Sequence, residues 1–409
     1  MLRESIVDLW HELGRHRART LVTILGLAWG VYAIVLLLAF GFGLKRLFQE
    51  RADNFGRGIG IIWPSQTTKS YQGTGPGRFI TLRSSDIANL ERQIPELELV
   101  CPEYYQNDQL SIGNNIYPIS LSGVNPNFSA LRSWKMQPGG RFLNALDIQE
   151  SRRVIVLGNG IKAMIFGKQN PIGKQVIIKG VAFTVVGVMQ PKEQDSSYGA
   201  KDQDRGCIPT TTFEQIFSSR SVSPFIFRAK EQRLHSHVIN RIYEVLGRSC
   251  HFDPTDRAAL YVWDTTEEER IRNFALSGLQ LMLGLSGVFT LLVGGVGAGN
   301  LMFIRVKQRS REIGIEMALG AKPRWILSRF LVDAMFLVAC GGATGFLSAW
   351  VTVKLAAKLP ITEQVGIPNV PLGLALGMVF LIGFIGILAG FFPARRAAQI
   401  DPVRVLNDQ

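Results

Sequence analysis

Four long apolar runs restrict this chain more than any other feature. Residues 20–44, 274–304 and 371–393 contain no charged side chain, and residues 325–353 carry only Arg329 and Asp333. About 20 consecutive apolar residues cross a bilayer as a helix, the form in which such a segment satisfies its own backbone in lipid. Each run therefore reads as a transmembrane span. The first is longer than the ~7–15-residue core of a signal peptide and has no prompt A-x-A site after it, so it reads as a retained span. Only 19% of the 409 residues are charged, against about 25% for soluble domains.

The net charge of +13 would suit either a nucleic-acid surface or a membrane orientation signal. Position decides between them. Arg3, Arg15, Arg17 and Arg19 precede the first span, and Arg395, Arg396 and Arg404 follow the fourth. Arg305, Lys307, Arg309, Arg311, Lys322 and Arg324 lie between the second and third spans, whereas the link between the third and fourth has only Lys354 and Lys358. Basic residues near span ends mark the cytoplasmic side, which places both termini and residues 305–324 inside, with no nucleic-acid partner. By parity, residues 45–273 form a large domain outside.

The expected architecture is a polytopic α-helical membrane protein with four transmembrane helices and a large α+β extracytoplasmic domain between helices 1 and 2. Its divisions are an amphipathic N-terminal helix (1–19), span 1 (20–44), the outer domain (45–273), span 2 (274–304), a cytoplasmic segment (305–324), span 3 (325–353), a short external loop (354–370), span 4 (371–393) and a cytoplasmic tail (394–409). In the N-terminal segment Ile6, Leu9, Trp10 and Leu13 share one face, as in a helix lying on the inner leaflet. In the outer domain, "RRVIVLGNGIKAMIFG" reads as a buried strand, a turn and a short helix, and "KQVIIKGVAFTVVGVM" as a hairpin about Lys179-Gly180. "TTFEQIF" and "SHVINRIYEVLG" have helical spacing. The Gly/Ser/Thr-rich stretch "PSQTTKSYQGTGPGRF" reads as a mobile loop.

Sites for chemistry are scarce. "GKQNPIGKQ" superficially looks like a phosphate-binding loop, but five residues separate Gly167 from Gly173 where four are needed, and Gln175 stands where Ser or Thr would hold Mg²⁺. The Gly-rich "GGVGAGN" lies inside span 2 and suits tight helix packing. His235 and His237 lie on opposite faces of a helix, and Cys250-His251 is adjacent, a poor chelating geometry; these histidines read as surface residues. No metal site, resident cofactor or catalytic group is expected. Cys101, Cys207, Cys250 and Cys340 show no CxxC spacing, and their disulfide state is left open. Asp333, within span 3, is expected to pair with Arg329 four residues earlier. Gly341 with Gly345, and Gly373 with Gly377, have the small-xxx-small spacing that lets helices approach, within the bundle or across a dimer.

The segment "VKQRSREIGIEMALGAKPRW", 306–325, interleaves charges with Ile, Met and Gly. A solvated loop that only sets topology has no need of those apolar residues. With its continuation into span 3, this segment resembles the signature of the FtsX-like, MacB-like (type VII) permeases of ABC transporters. "FFPARRAAQIDPVRVLN" is similar to that family's tail, and "SWKMQPGGRF", "RRVIVLG" and "NPIGKQVIIKGVAFTVVGVM" to its periplasmic core domain.

The resemblance covers nearly the whole chain. It implies a bacterial inner-membrane permease, itself non-catalytic, working by mechanotransmission with a separate cytosolic ABC ATPase that carries ATP and Mg²⁺. Two copies of each subunit are implied, the second permease being this chain or a homologue. A periplasmic adaptor and an outer-membrane channel are further implied partners. The coupling segment carried over is Arg309, Arg311, Glu312, Ile313, Gly314, Ile315, Met317, Gly320 and Ala321. There Glu312 would pair with a basic group on the ATPase, Ile313, Ile315 and Met317 would fill a groove, and Gly320 would allow the turn into span 3. Export or extraction of a hydrophobic or peptide cargo is the leading expectation. Regulation of cell-wall hydrolases and lipoprotein release are the alternatives.

Overall fold

A computed structural model describes residues 17–194, 197–218, 221–359 and 366–400. The amphipathic face expected at Ile6, Leu9, Trp10 and Leu13, and residues 401–409 of the tail, lie outside the described residues. The chain divides into a spanning unit, Met1–Leu47 with Asn273–Gln409, and a core unit, Phe48–Arg272.

The core unit is α+β. Its strands are β1 (Ile59–Pro64), β2 (Leu97–Pro102), β3 (Tyr104–Ile112), β4 (Asn115–Val124), β5 (Val154–Leu157), β6 (Gln175–Ile178), β7 (Val181–Val188), β8 (Arg205–Pro209), β9 (Phe225–Ala229) and β10 (Leu260–Asp264). Four make a sheet in the order β10-β1-β9-β2, and six close a barrel in the order β3-β4-β8-β5-β7-β6. The local sequence shows why. Val154–Leu157 is buried at every position, and it sits between a parallel neighbour, β7, and an antiparallel one, β8, as continuous β-branched strands do. Gln175–Ile178 alternates exposed and buried, the period of a half-buried strand. The turn from β6 to β7 puts both Lys179 (φ 48°) and Gly180 (φ 77°) in left-handed backbone, the geometry that matches the twist of a two-residue hairpin.

Two features differ from the sequence reading. Within residues 64–79, read from the sequence as a mobile loop, Thr68 and Lys69 are anchored to the core unit. The buried Asp256 carboxylate accepts hydrogen bonds from Thr68 N (2.6 Å), Thr68 Oγ1 (2.7 Å) and Lys69 N (3.0 Å). Burial alone would raise the pKa of Asp256, but these donors hold it below the ordinary carboxylate value. His235 is not a surface residue: it is buried, stacks on Phe227 at 5.0 Å and lies 3.1 Å from Asp264. His237, two residues on, is exposed. Alternation along the helix His235–Ser249 separates the two, and only the tertiary packing of that helix determines which one turns inward. All four cysteines are free thiols.

An ionic cluster is buried in this unit. Asp202 pairs with Arg132 at 2.7 Å and Lys192 at 2.6 Å and accepts from Trp134 Nε1 at 2.9 Å. Glu103 pairs with Arg205 at 2.5 Å and accepts from Ser122 and Tyr198. No sequence pattern marks these residues, because they come together from several separate segments.

In the spanning unit, four helices are long and apolar enough to cross a membrane: Ala18–Phe55, Thr265–Gln308, Pro323–Ala356 and Leu372–Ala397. The first two extend well beyond the apolar runs, because a helix ends where its capping and backbone preferences end, not where hydropathy falls. Glycines set the contacts. A Cβ on Gly287 would lie 1.9 Å from Ile34 of the first helix, and one on Gly345 would lie 2.3 Å from the Ala28 carbonyl. Gly341 approaches Leu27 and Ile24 in the same way. A Cβ added to Gly373 or Gly377 would meet nothing within 4 Å, so these two pack no described helix of this chain. Before the fourth helix the chain lies along the first: Gly43 approaches the Ile367 carbonyl so closely that a Cβ would stand 2.7 Å from it.

Candidate coupling surface

Between the second and third spanning helices the chain makes a short helix of its own, Ser310–Ala318. Arg309 leaves helical geometry (φ −96°, ψ 8°) and breaks the preceding helix, while Ser310 Oγ bonds back to the Lys307 carbonyl at 2.9 Å. The far end closes with a Schellman motif. Gly320 N donates to Met317 O and Ala321 N to Glu316 O, both at 3.0 Å, with Gly320 at φ 100°. Pro323 then opens the third spanning helix at its first turn, where its missing N–H is no loss.

The linker helix has two faces. Ile313 (3% exposed) and Gly314 are buried, and Ile313 packs with Met302, Val306, Ile326, Phe330, Ala334 and Ala394. Met317 and Ala321 are half-buried against the same cluster. The opposite face carries Arg311, Glu312, Ile315, Ala318 and Leu319, all exposed. Ile315 is 44% and Leu319 85% exposed. Arg309 and Glu312 lie 3.6 Å apart, with Glu312 still largely in solvent. Glu316 pairs with Arg329 at 3.3 Å, which ties the linker helix to the base of the third spanning helix.

Two assignments change accordingly. Ile313 and Gly314 serve the bundle's own core and have no surface to offer a partner, and Met317 is mainly inward. Arg329 is directed to Glu316, not to the expected Asp333, which is itself buried. Leu319 joins the outward surface although the sequence reading omits it. Its signal is the i, i+4 spacing of Arg311, Ile315 and Leu319, which puts them on one stripe.

Comparison with known families decides the identity. A model of the MacB-like periplasmic core domain matches residues 20–242, which is the first spanning helix and most of the core unit. The chain belongs to the MacB-like family. A second model, the FtsX-like permease C-terminal region, matches residues 284–402 and so includes the linker helix. Over 420 residues the chain is 32% identical to the pyoverdine export ATP-binding/permease protein PvdT of Pseudomonas aeruginosa, matching 100% of this chain and 59% of that protein. It is 31% identical over 413 residues to PvdT of Pseudomonas entomophila, with 99% of this chain and 60% of the relative covered. Against the macrolide export ATP-binding/permease protein MacB of Wolinella succinogenes it is 28% identical over 421 residues, covering 100% and 61%. The chain thus spans about 60% of the length of these relatives. Among solved structures, the periplasmic region of MacB from Actinobacillus actinomycetemcomitans aligns with a TM-score of 0.44 at 20% identity, covering 55% of this chain and 97% of that one.

As in other MacB-like chains, the core domain is inserted between the first spanning helix and the other three. Among the described residues, no group of three or more His, Cys, Asp or Glu side chains gathers as a metal site.

Proposed function

We propose that this MacB-like chain is the permease part of an ABC exporter. An ABC ATPase, holding ATP and Mg²⁺, pushes on the outward stripe of the linker helix, and the resulting motion of the core domain expels cargo on the far side of the membrane. The carrying observation is the two-faced linker helix. One side is locked into the bundle by Ile313 and the Glu316–Arg329 pair, while the other presents Ile315 and Leu319 among charges. A surface that is fixed behind and apolar in front transmits force, whereas a flexible loop would absorb it. The clustering of Arg305, Lys307, Arg311, Lys322 and Arg324 near this helix supports a cytoplasmic position for it.

The export names of the PvdT and MacB relatives support efflux of a small or peptidic compound over regulation of hydrolases or lipoprotein release. A second permease copy, a periplasmic adaptor and an outer-membrane channel complete the proposed assembly.

Leu319→Asp tests the surface. A central apolar contact replaced by a charge costs on the order of 2 kcal/mol or more, so ATPase binding should fall roughly 30-fold with membrane insertion unchanged. Glu312→Ala should weaken it less, since that carboxylate is already half-engaged by Arg309. Unchanged ATPase capture and unchanged cargo-stimulated hydrolysis in Leu319→Asp would remove the assignment.

A further inference from the structure

The third and fourth spanning helices leave an open groove between them, about 600 Å³ in volume. It runs from Met335 to Leu347 on the third helix and from Ala375 to Gly386 on the fourth. Every described residue that lines it is apolar. Small side chains give it depth: Ala339, Ala343 and Gly383 lie along it, and a Cβ on Gly383 would meet nothing within 4 Å. Leu347, Leu376 and Val379, all exposed, form its lips.

Its dimensions choose the occupant. At 1.5 Å of rise per residue, both stretches are roughly 17 Å long. The hydrocarbon of a bilayer is about 30 Å thick, so the groove has the length of one leaflet and stops near the midplane. A volume of about 600 Å³ spread over that length is a slot of about 35 Å² in section, whereas a helix about 10 Å across fills about 80 Å². A helix from a second chain would bridge this slot and leave it hollow. An empty slot forfeits the dispersion contacts of its walls, and a flexible hydrocarbon chain restores them.

The mouth of the groove is marked as well. Leu347, Trp350 and Lys354 stand at i, i+3 and i+7 on the third helix and so continue the stripe that lines it. Lys354 Nζ lies 3.8 Å over the Trp350 ring, and both residues are exposed. A tryptophan at the membrane interface, with a lysine reaching out beside it, marks the level of the headgroups, where a cation favours a lipid phosphate.

We propose that this groove is a phospholipid site. One acyl chain lies along Ala339, Ala343 and Gly383, and its phosphate lies beside Lys354, in the leaflet on the side where the third and fourth helices are joined. The site requires only that these helices span a bilayer, so it stands or falls separately from the exporter reading.

The test uses the full chain in nanodiscs containing a phosphatidylglycerol with a diazirine near the middle of one acyl chain. After irradiation, tandem mass spectrometry should find label around Ala339, Ala343 and Gly383 about tenfold above that at Phe380 and Phe384. Those two exposed residues share the depth of the groove on the fourth helix but do not line it. Gly383→Leu, which fills the slot without striking another helix, should remove the excess. Gly377→Leu, also free of contact but outside the groove, should keep it. Lys354→Ala should lower it about fivefold. Label spread evenly over both faces means ordinary boundary lipid and overturns the site, as does an excess that survives undiminished in Gly383→Leu or Lys354→Ala. Cross-links between two chains from a photoreactive side chain at position 343 would also overturn it, by placing a second protein in the groove.

Discussion

Asp202→Ala is expected to remove a large share of the stability of the core unit. Its carboxylate is fully buried and is the shared partner of Arg132 and Lys192, with Arg205 at 3.7 Å. Deleting it leaves these cations buried without their counter-ion, a loss of about 3–5 kcal/mol, against a total of about 5–15 kcal/mol for a domain. Urea unfolding followed through near-UV circular dichroism should show the midpoint fall with little change in slope. Adding Lys192→Met should restore part of the loss, because it deletes one stranded charge. An Asp202→Ala midpoint equal to the wild type would mean the cluster is dispensable. The pH dependence follows the same logic. Burial would raise the pKa of Asp202, but Arg132, Lys192 and Arg205 outweigh it and hold the group below the ordinary carboxylate range. A depressed carboxylate contributes stability above its unfolded pKa near 4 that is lost as pH falls through the folded value. Acid titration should therefore destabilise the wild type, and Asp202→Asn should lack that part of the acid limb.

Gly345→Val should disrupt the spanning bundle. A Cβ there would stand 2.3 Å from the Ala28 carbonyl and 2.9 Å from Val31 Cβ. The first obstacle is backbone, which no rotamer change can clear, so the first and third spanning helices must separate. Overpacking costs about 1–3 kcal/mol where side chains can shift, and here it should reach or exceed the top of that range. The thermal aggregation temperature in detergent should drop sharply. Gly373→Val is the matched control, because that position meets open space. It should leave folding untouched, and any effect it has on self-association would report a dimer contact. If both variants behave alike, helix packing at Gly345 is not what holds the bundle.

Much of this architecture is legible in the linear pattern, for reasons that differ by element. Spans are readable because lipid demands about 20 apolar residues in a row, a constraint no neighbour can relax. The hairpin about Lys179-Gly180 is readable because its turn geometry and flanking alternation are local. The linker helix is half legible. Its mixture of charge and Ile, Met and Gly marks it as more than a loop, and Gly320 marks its end. Which face looks outward is not evident from the pattern: Ile313 and Met317 read as partner contacts, yet they pack on Val306, Ile326 and Phe330.

The sequence by itself determined the four spans, the inserted α+β domain and the place of the linker helix, because hydropathy, turn chemistry and charge bias act over short stretches of chain. Only the tertiary structure decided which of His235 and His237 is buried, which glycines meet another helix, and that Arg132, Lys192, Asp202, Arg205 and Glu103 form one buried cluster. Those outcomes depend on segments far apart in the chain meeting in space (Arg205 and Glu103 are 102 residues apart). No periodicity along the chain encodes such a meeting; it follows from how the barrel closes.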